Sequence, residues 1–195
     1  NWVKIGLNSQ LTFTDKDRRT DALGLVNQTS PLAKAYDDNG NINQFPVFGN
    51  ASSISPLADE RGDTVYKNNT VGTRILANGY VELKLAKGLV FKSTFGGAFG
   101  SSRLGIYQAA TSVAQRNTRQ VTTQQTTGIS KNFNFDNVLT YTKNFGEHAI
   151  TATAIHSYFS NEDEGLEAIG YNQLIASQLF YNMAAVNPNS RYLNS

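Results

Sequence analysis

Runs of strictly alternating apolar and polar residues, joined by connections that are in turn long and short, constrain this chain more than any other feature. In residues 3–13, Val3, Ile5, Leu7, Leu11 and Phe13 share one parity, and Lys4, Asn8, Gln10 and Thr12 the other. Ser9 is the lapse. Period-2 alternation belongs to a strand with one apolar face and one wet face. It returns in residues 74–85, where Ala77, Gly79, Val81, Leu83 and Leu85 oppose Asn78, Tyr80, Glu82 and Lys84. It returns again in 89–99, with Leu89, Phe91, Phe95 and Phe99 against Lys92, Thr94 and Gly96. Residues 131–142 set Phe133, Phe135, Leu139 and Tyr141 against Asn132, Asn134, Asp136 and Thr140, with Asn137 and Val138 out of place. In 148–159, Ile150, Ala152, Ala154 and Tyr158 form the apolar side.

Parity also fixes the turns, because directly opposed residues in a hairpin share a face. A three-residue turn of Ala86, Lys87 and Gly88 opposes Leu85 to Leu89, Leu83 to Phe91 and Val81 to Ser93. A two-residue turn at Lys87 and Gly88 would scramble the faces. Gly88 can take the left-handed position that such turns require. A four-residue turn of Asn144, Phe145, Gly146 and Glu147 opposes Tyr141 to Ile150, Leu139 to Ala152 and Phe133 to Tyr158. Between the hairpins lie polar connections at 14–73 and 100–129, and a third from Ser160. Gln120 to Thr127 reads as a possible extension of the fourth strand. Residues 166–186 read equally as a short helix in a loop or as a loop with a sixth strand.

A loop of ~60 residues is foreign to a compact soluble domain. Long loops on one side and short turns on the other suit a membrane β-barrel. Strands of about 11 residues rise ~36 Å. Tilted by ~40°, they cover roughly the apolar band of an outer-membrane barrel. The apolar faces end in the aromatics Phe13, Phe95, Phe99, Tyr141 and Tyr158, as interfacial girdles do. Lys4, Glu82, Lys84, Lys92 and Asp136 on the other faces are costly in lipid and natural in a wet lumen.

Composition removes several alternatives. Charged residues make up 16% of the chain, against about 25% in ordinary domains. There is no cysteine, hence no disulfide, thiol nucleophile or thiolate metal site. A net charge of +2 without a basic stripe gives no footprint for nucleic acid. The first residues lack a signal-peptide pattern and already read as a strand. No apolar run reaches the ~20 residues of a membrane-spanning helix.

The run from Asn78 through Gly88 to Gly96, NGYVELKLAKGLVFKSTFG, resembles a signature hairpin of the SusC/RagA group of TonB-dependent outer-membrane transporters. Two upstream stretches, SPLAKAYDDNGN from Ser30 and SPLAD from Ser55, are similar to loop motifs of that group, and FDNVLTYTKNFGEH from Phe135 to its next short hairpin. The resemblance covers most of residues 3–159, in order. It implies an all-β fold, an antiparallel transmembrane β-barrel segment of a 22-stranded barrel with long extracellular loops. The whole of 1–195 is then a fragment of one TonB-dependent receptor barrel domain, without plug domain or TonB box. It further implies a bacterial outer-membrane location, surrounding outer-membrane lipid, a SusD-like surface lipoprotein as lid, and import of oligosaccharides or peptides driven by the TonB system.

Residues with chemistry are sparse, and the expectation is that the chain is not an enzyme, with no catalytic residue, cofactor or metal. His148 beside a turn and His156 within a strand form no HExxH pattern. Asp37, Asp38, Asn39, Gly40 and Asn41 read as an Asn-Gly turn, since the glycine position and the missing twelfth-position Glu argue against a calcium loop. Glu162, Asp163 and Glu164 read as a solvated loop tip. No GxSxG, P-loop or GxGxxG pattern occurs. The glycines from Gly96 to Gly100 end a strand and open no helix. The sequons at Asn27, Asn50 and Asn68 are expected by chance. Tyr36, Phe45, Phe48 and Tyr66 are the candidates to touch substrate or a lid protein. The competing readings are a soluble or surface-anchored β-rich glycan-binding or adhesin module, and a small closed porin.

Overall fold

The computed structural model describes residues 1–47, 50 and 53–194. The chain is all-β. Its six strands are β1 (Val3–Asp17), β2 (Tyr66–Ala86), β3 (Leu89–Gln108), β4 (Thr122–Phe145), β5 (His148–Tyr171) and β6 (Arg191–Asn194). They form one antiparallel sheet in the order β1-β2-β3-β4-β5-β6, so β1 and β6 are its edges and the sheet is not closed. Among the described residues, helix is limited to a single turn, Leu23–Val26, and to short 3-10 turns at Ala58–Arg61, Ala176–Gln178, Met183–Ala185 and Pro188–Ser190.

Each alternating run is part of a strand, but the strands are much longer than the runs. β3, β4 and β5 have 20, 24 and 24 residues. The connection expected at 100–129 shrinks to 109–121, because β3 continues to Gln108 and β4 starts at Thr122. The extension of the fourth strand through Gln120 to Thr127 is therefore largely real. The polar stretch expected to begin a loop at Ser160 is instead strand as far as Tyr171. The backbone ladder needs only paired amides, so a strand persists where both faces are polar and alternation vanishes. Residues 166–186 resolve into the end of β5 followed by 3-10 turns. The sixth strand comes later and pairs Glu167 to Asn194 and Gly170 to Arg191.

Both tight turns keep the expected faces, and the second is tighter than expected. At the first, β2 extends to Ala86 and Gly88 takes the left-handed position expected of it, at φ 79°. The Asn78 and Asn134 side-chain oxygens converge on Gly96, so even-numbered residues of β2, β3 and β4 share a face. At the other turn Asn144 and Phe145 belong to β4, leaving Gly146 (φ 60°) and Glu147. Thr142 meets Thr151, Asn132 meets Asn161 and Lys131 meets Glu162. That pairing is shifted by two residues from the expected one. A shift of two preserves parity, so Phe133 still touches Tyr158, now diagonally.

The chain divides into two compact units. The first comprises Asn1–Phe13, Gly72–Ser101 and Gly128–Glu164; the second Thr14–Val71, Ser102–Thr127 and Gly165–Ser195. The first holds both tight turns and nothing but strand around them. The second holds all three long connections, with a core of Ile54, Ala58 and Val113 and another of Tyr107, Leu179 and Phe180.

Candidate functional site

In the first unit, one sheet face is bare and apolar. Ile5, Leu7, Phe13, Val81, Leu85, Phe95, Leu139, Tyr141, Ile150 and Tyr158 are all exposed, Leu7 by 82%. These are the residues of the apolar parity. Phe95 packs edge-on against Phe133 at 4.8 Å between centroids, and Phe133 lies 6.1 Å from Tyr158. The contacts make an aromatic row across β3, β4 and β5.

The opposite face of this unit carries amides, hydroxyls and scattered charge, interrupted on β5 by the exposed Ile155 and Phe159. The Tyr80 ring lies over Gly6, where a Cβ would collide with it, and Lys92 Nζ sits 5.0 Å from the centre of that ring. Asn78, Gly96 and Asn134 form one strip. Asn132 Nδ2 donates to Asn161, whose own Nδ2 donates to Asp163 Oδ2 at 2.8 Å. Such a surface can exchange hydrogen bonds with a polar solute. Glu162, Asp163 and Glu164 are not a loop tip; they lie in β5, where Lys131 bridges Glu162 at 3.3 Å and Glu164 at 3.5 Å.

The second unit is tied by a network that alternation does not reveal. Lys67 bridges Asp17 at 3.0 Å and Asp63 at 3.1 Å. Asn69 Nδ2 donates to Asp15 at 2.7 Å and Asp17 at 3.0 Å, and Arg103 Nη2 donates to Asn69 Oδ1 at 2.9 Å. The Arg103 guanidinium stacks 5.1 Å from Phe180 and 5.3 Å from Tyr181. Hydrogen bonds from Lys67 and then Asn69 hold the Asp17 carboxyl below the usual carboxylate value. Asp17, followed by Asp63, raises Lys67. Burial raises the Tyr107 phenol. Phe180 fills a notch over Gly105 that any Cβ would close. The small residues at 105 and 170, facing Phe180 and Val186, are the only trace of this packing in the sequence. It is legible only once the partner is known.

The three candidate contact residues that are described lie in different settings. Tyr36 is 55% exposed and bridges to Ile42. Phe45 packs onto the Ile54, Ala58 and Val113 cluster, with the Arg119 guanidinium 5.5 Å from its ring. Tyr66 opens β2 and is only 4% exposed, its hydroxyl accepting from Asn68 Nδ2. Phe48 lies outside the described residues. Asp37 is an Asx-turn anchor: its carboxylate accepts from the Asn39 and Asn41 amides at 2.9 and 2.8 Å and from Asn41 Nδ2 at 3.2 Å. Those bonds, the Asn41 amide first, lower its pKa. Both oxygens are thus occupied by N–H donors, the arrangement of a turn.

Long strands, a bare apolar face, a polar opposite face and segregated turns can be compared with known architectures. The RagAB peptide transporter aligns with a TM-score of 0.69 at 17% identity, over 99% of this chain and 23% of that one. The fold is that of a barrel wall. The RagAB peptide importer aligns about equally in its 'open-open' state, at 0.68, and its 'closed-closed' state, at 0.66. The wall is therefore recognisable in both. The chain spans less than a quarter of the length of these neighbours. No protein-family profile and no curated protein sequence matches it.

Proposed function

We propose that this chain is part of the wall of a bacterial outer-membrane active transporter of the SusC/RagA kind. Its first unit would cross the bilayer, and its second would carry the extracellular connections. The observation that carries the reading is the exposed apolar parity of the first unit, set against a polar parity on the same strands. In water, such a face would be a severe liability; against lipid it is what a barrel requires. A strand of 24 residues rises ~80 Å, well beyond a hydrocarbon core of about 30 Å, so the strands would continue outside the membrane. The likeness to the RagAB importer supports the same reading at the level of fold.

In this reading the protein imports peptides or oligosaccharides with energy from the TonB system, beneath a SusD-like surface lipoprotein. Peptide is the cargo for which the solved neighbours are named. In this reading the chain acts as a carrier and not as an enzyme. Tyr36, exposed on the first long connection, is the candidate for contact with cargo or lid.

Sidedness tests the proposal. The turns at Lys87 and Gly146 would lie in the periplasm, and the connections around Gly40 and Gln115 outside. Cysteine can be placed freely, because the chain has none. On intact cells, a membrane-impermeant maleimide should label Asp38→Cys and spare Lys87→Cys. Labelling of Lys87→Cys alone would invert the topology. Equal labelling of both would mean that no membrane separates them.

A further inference from the structure

The tight-turn end of the first unit gathers cations onto the apolar parity, where lipid chemistry would not otherwise place them. Lys143 lies on the same parity as Phe133, Leu139 and Tyr141, and its Nζ sits 4.6 Å from the centre of the Phe145 ring. The Thr142 amide donates to the Gly88 carbonyl at 2.7 Å. That bond seats the Lys87–Gly88 turn beside Thr142 and Lys143. A Cβ at Gly88 would collide with the Thr142 carbonyl, so the approach depends on glycine. Lys87 and Lys143 are exposed, and Leu85 and Phe145 beside them are 55% and 49% exposed. Trp2, whose carbonyl accepts from the Lys84 amide at 2.9 Å, is 73% exposed at the same end of the unit. Glu147 lies in the second turn, between β4 and β5.

We propose that Lys87 and Lys143 form a binding site for the phosphate of an anionic phospholipid, with Leu85 and Phe145 against its acyl chains. The inference rests on the barrel reading and adds a ligand to it. Two ammonium groups with bare apolar side chains beside them match a headgroup phosphate above hydrocarbon. A lysine there can lay its methylenes along the apolar face and keep its charge at the interface. The ring under Lys143 adds a cation–π contact that holds it in place. A free phosphate would use the ammonium groups but gain nothing from Leu85 and Phe145. The apolar neighbours therefore favour a lipid over a soluble anion.

The test uses the intact protein in nanodiscs of phosphatidylcholine with a minor fraction of phosphatidylglycerol. Lipids retained on gentle release are counted by native mass spectrometry. Phosphatidylglycerol should be enriched over its share of the disc. Lys87→Gln and Lys143→Gln should each reduce the enrichment about fivefold, as expected for one lysine near an anionic surface, while Lys34→Gln in a long connection leaves it unchanged. Added salt should weaken it further. Retained enrichment in the Lys87→Gln/Lys143→Gln double variant would overturn the proposal, as would an equal loss in Lys34→Gln. Failure of the protein to insert would instead overturn the barrel reading, whereas insertion without enrichment removes the lipid site alone.

Discussion

The two units of this chain are built on opposite principles. Every fully buried apolar side chain among the described residues belongs to the second unit, including Tyr107, Val113, Phe180 and Val186. The first has none; Gly96 is the buried residue it does contain. The second unit is thus stabilised as a soluble domain is, by side chains packed against each other. The first has ladder hydrogen bonds and cross-strand contacts, and leaves its apolar face to whatever surrounds it.

The largest expected effect separates the two regimes. Phe180→Ala empties the notch over Gly105 and removes the ring beneath Arg103. Truncating a buried Phe typically costs about 3–5 kcal/mol. Hydrogen exchange should show residues 172–190 losing protection while the tight turns keep theirs. Phe95→Ala in the first unit should cost far less in a bilayer, since acyl chains replace the lost contacts. Equal costs for the two would break the comparison.

Charge placed on the two faces of the first unit sharpens it. Val81→Arg puts a guanidinium on the apolar parity, at a cost of about 2–4 kcal/mol near the bilayer midplane. Thr94→Arg, on the polar parity, should be close to neutral. Refolding into vesicles under a urea gradient measures both, and similar midpoints for the two variants would refute the assignment of faces.

The first unit was also the legible one. Its strands and the parity of Val81, Leu83, Phe95, Tyr141 and Tyr158 follow from alternation, because two environments force two kinds of side chain onto alternate positions. The residues past that band were unreadable for the same reason. Between Ser160 and Tyr171 nothing in the pattern distinguishes a largely polar strand from a loop, and between Ser102 and Gln108 the buried Tyr107 packs with Leu179 and Phe180, partners that no local pattern shows. The register of the Gly146 turn was readable in parity but not in phase, as a slip of two residues changes no face. The second unit's clusters depend on pairs far apart in sequence: Asp59 Oδ1 accepts from the Val113 amide at 2.8 Å across 54 positions, and Phe180 seats on Gly105. No local period encodes such pairs. Hence Phe45 and Tyr66, candidates for substrate or lid contact by sequence, sit in a cluster and as a buried strand residue.

Removing the amide at the centre of the second unit's polar network should have an intermediate effect. Asn69 is 7% exposed. It donates to two carboxylates and accepts from Arg103, so Asn69→Ala leaves all three partners short of a bond. Stranding partly buried polar groups costs roughly 1–3 kcal/mol. The loss should appear as faster exchange at the Arg18 amide, which donates to the Asn68 carbonyl at 2.8 Å, with no change at the Thr142–Gly88 contact. A uniform change across both units would mean that they unfold as one.

The smallest effect is a pH dependence confined to the second unit. The folded-state pKa of Asp17 is depressed, chiefly by Lys67. Its contribution is therefore present above the unfolded carboxylate value of 3.8 and is lost as pH falls through the folded value. The pKa of Lys67 is raised, chiefly by Asp17. Its contribution is complete below the unfolded value of 10.5 and is lost as pH rises through the folded value. The two signs agree: the pair stabilises the junction of β1 and β2 between mildly acidic and alkaline pH and weakens at both extremes. The Asp17 side chain is half exposed, although that of Lys67 is mostly covered, so the amplitude should be modest and should shrink with salt. Exchange at the Arg18 amide, corrected for its intrinsic pH dependence, should accelerate on acidification below about pH 4. Asp17→Asn should abolish that acid limb. If Asp17→Asn leaves it intact, the acid sensitivity belongs to another carboxylate, and Asp63, the other partner of Lys67, becomes the residue to replace.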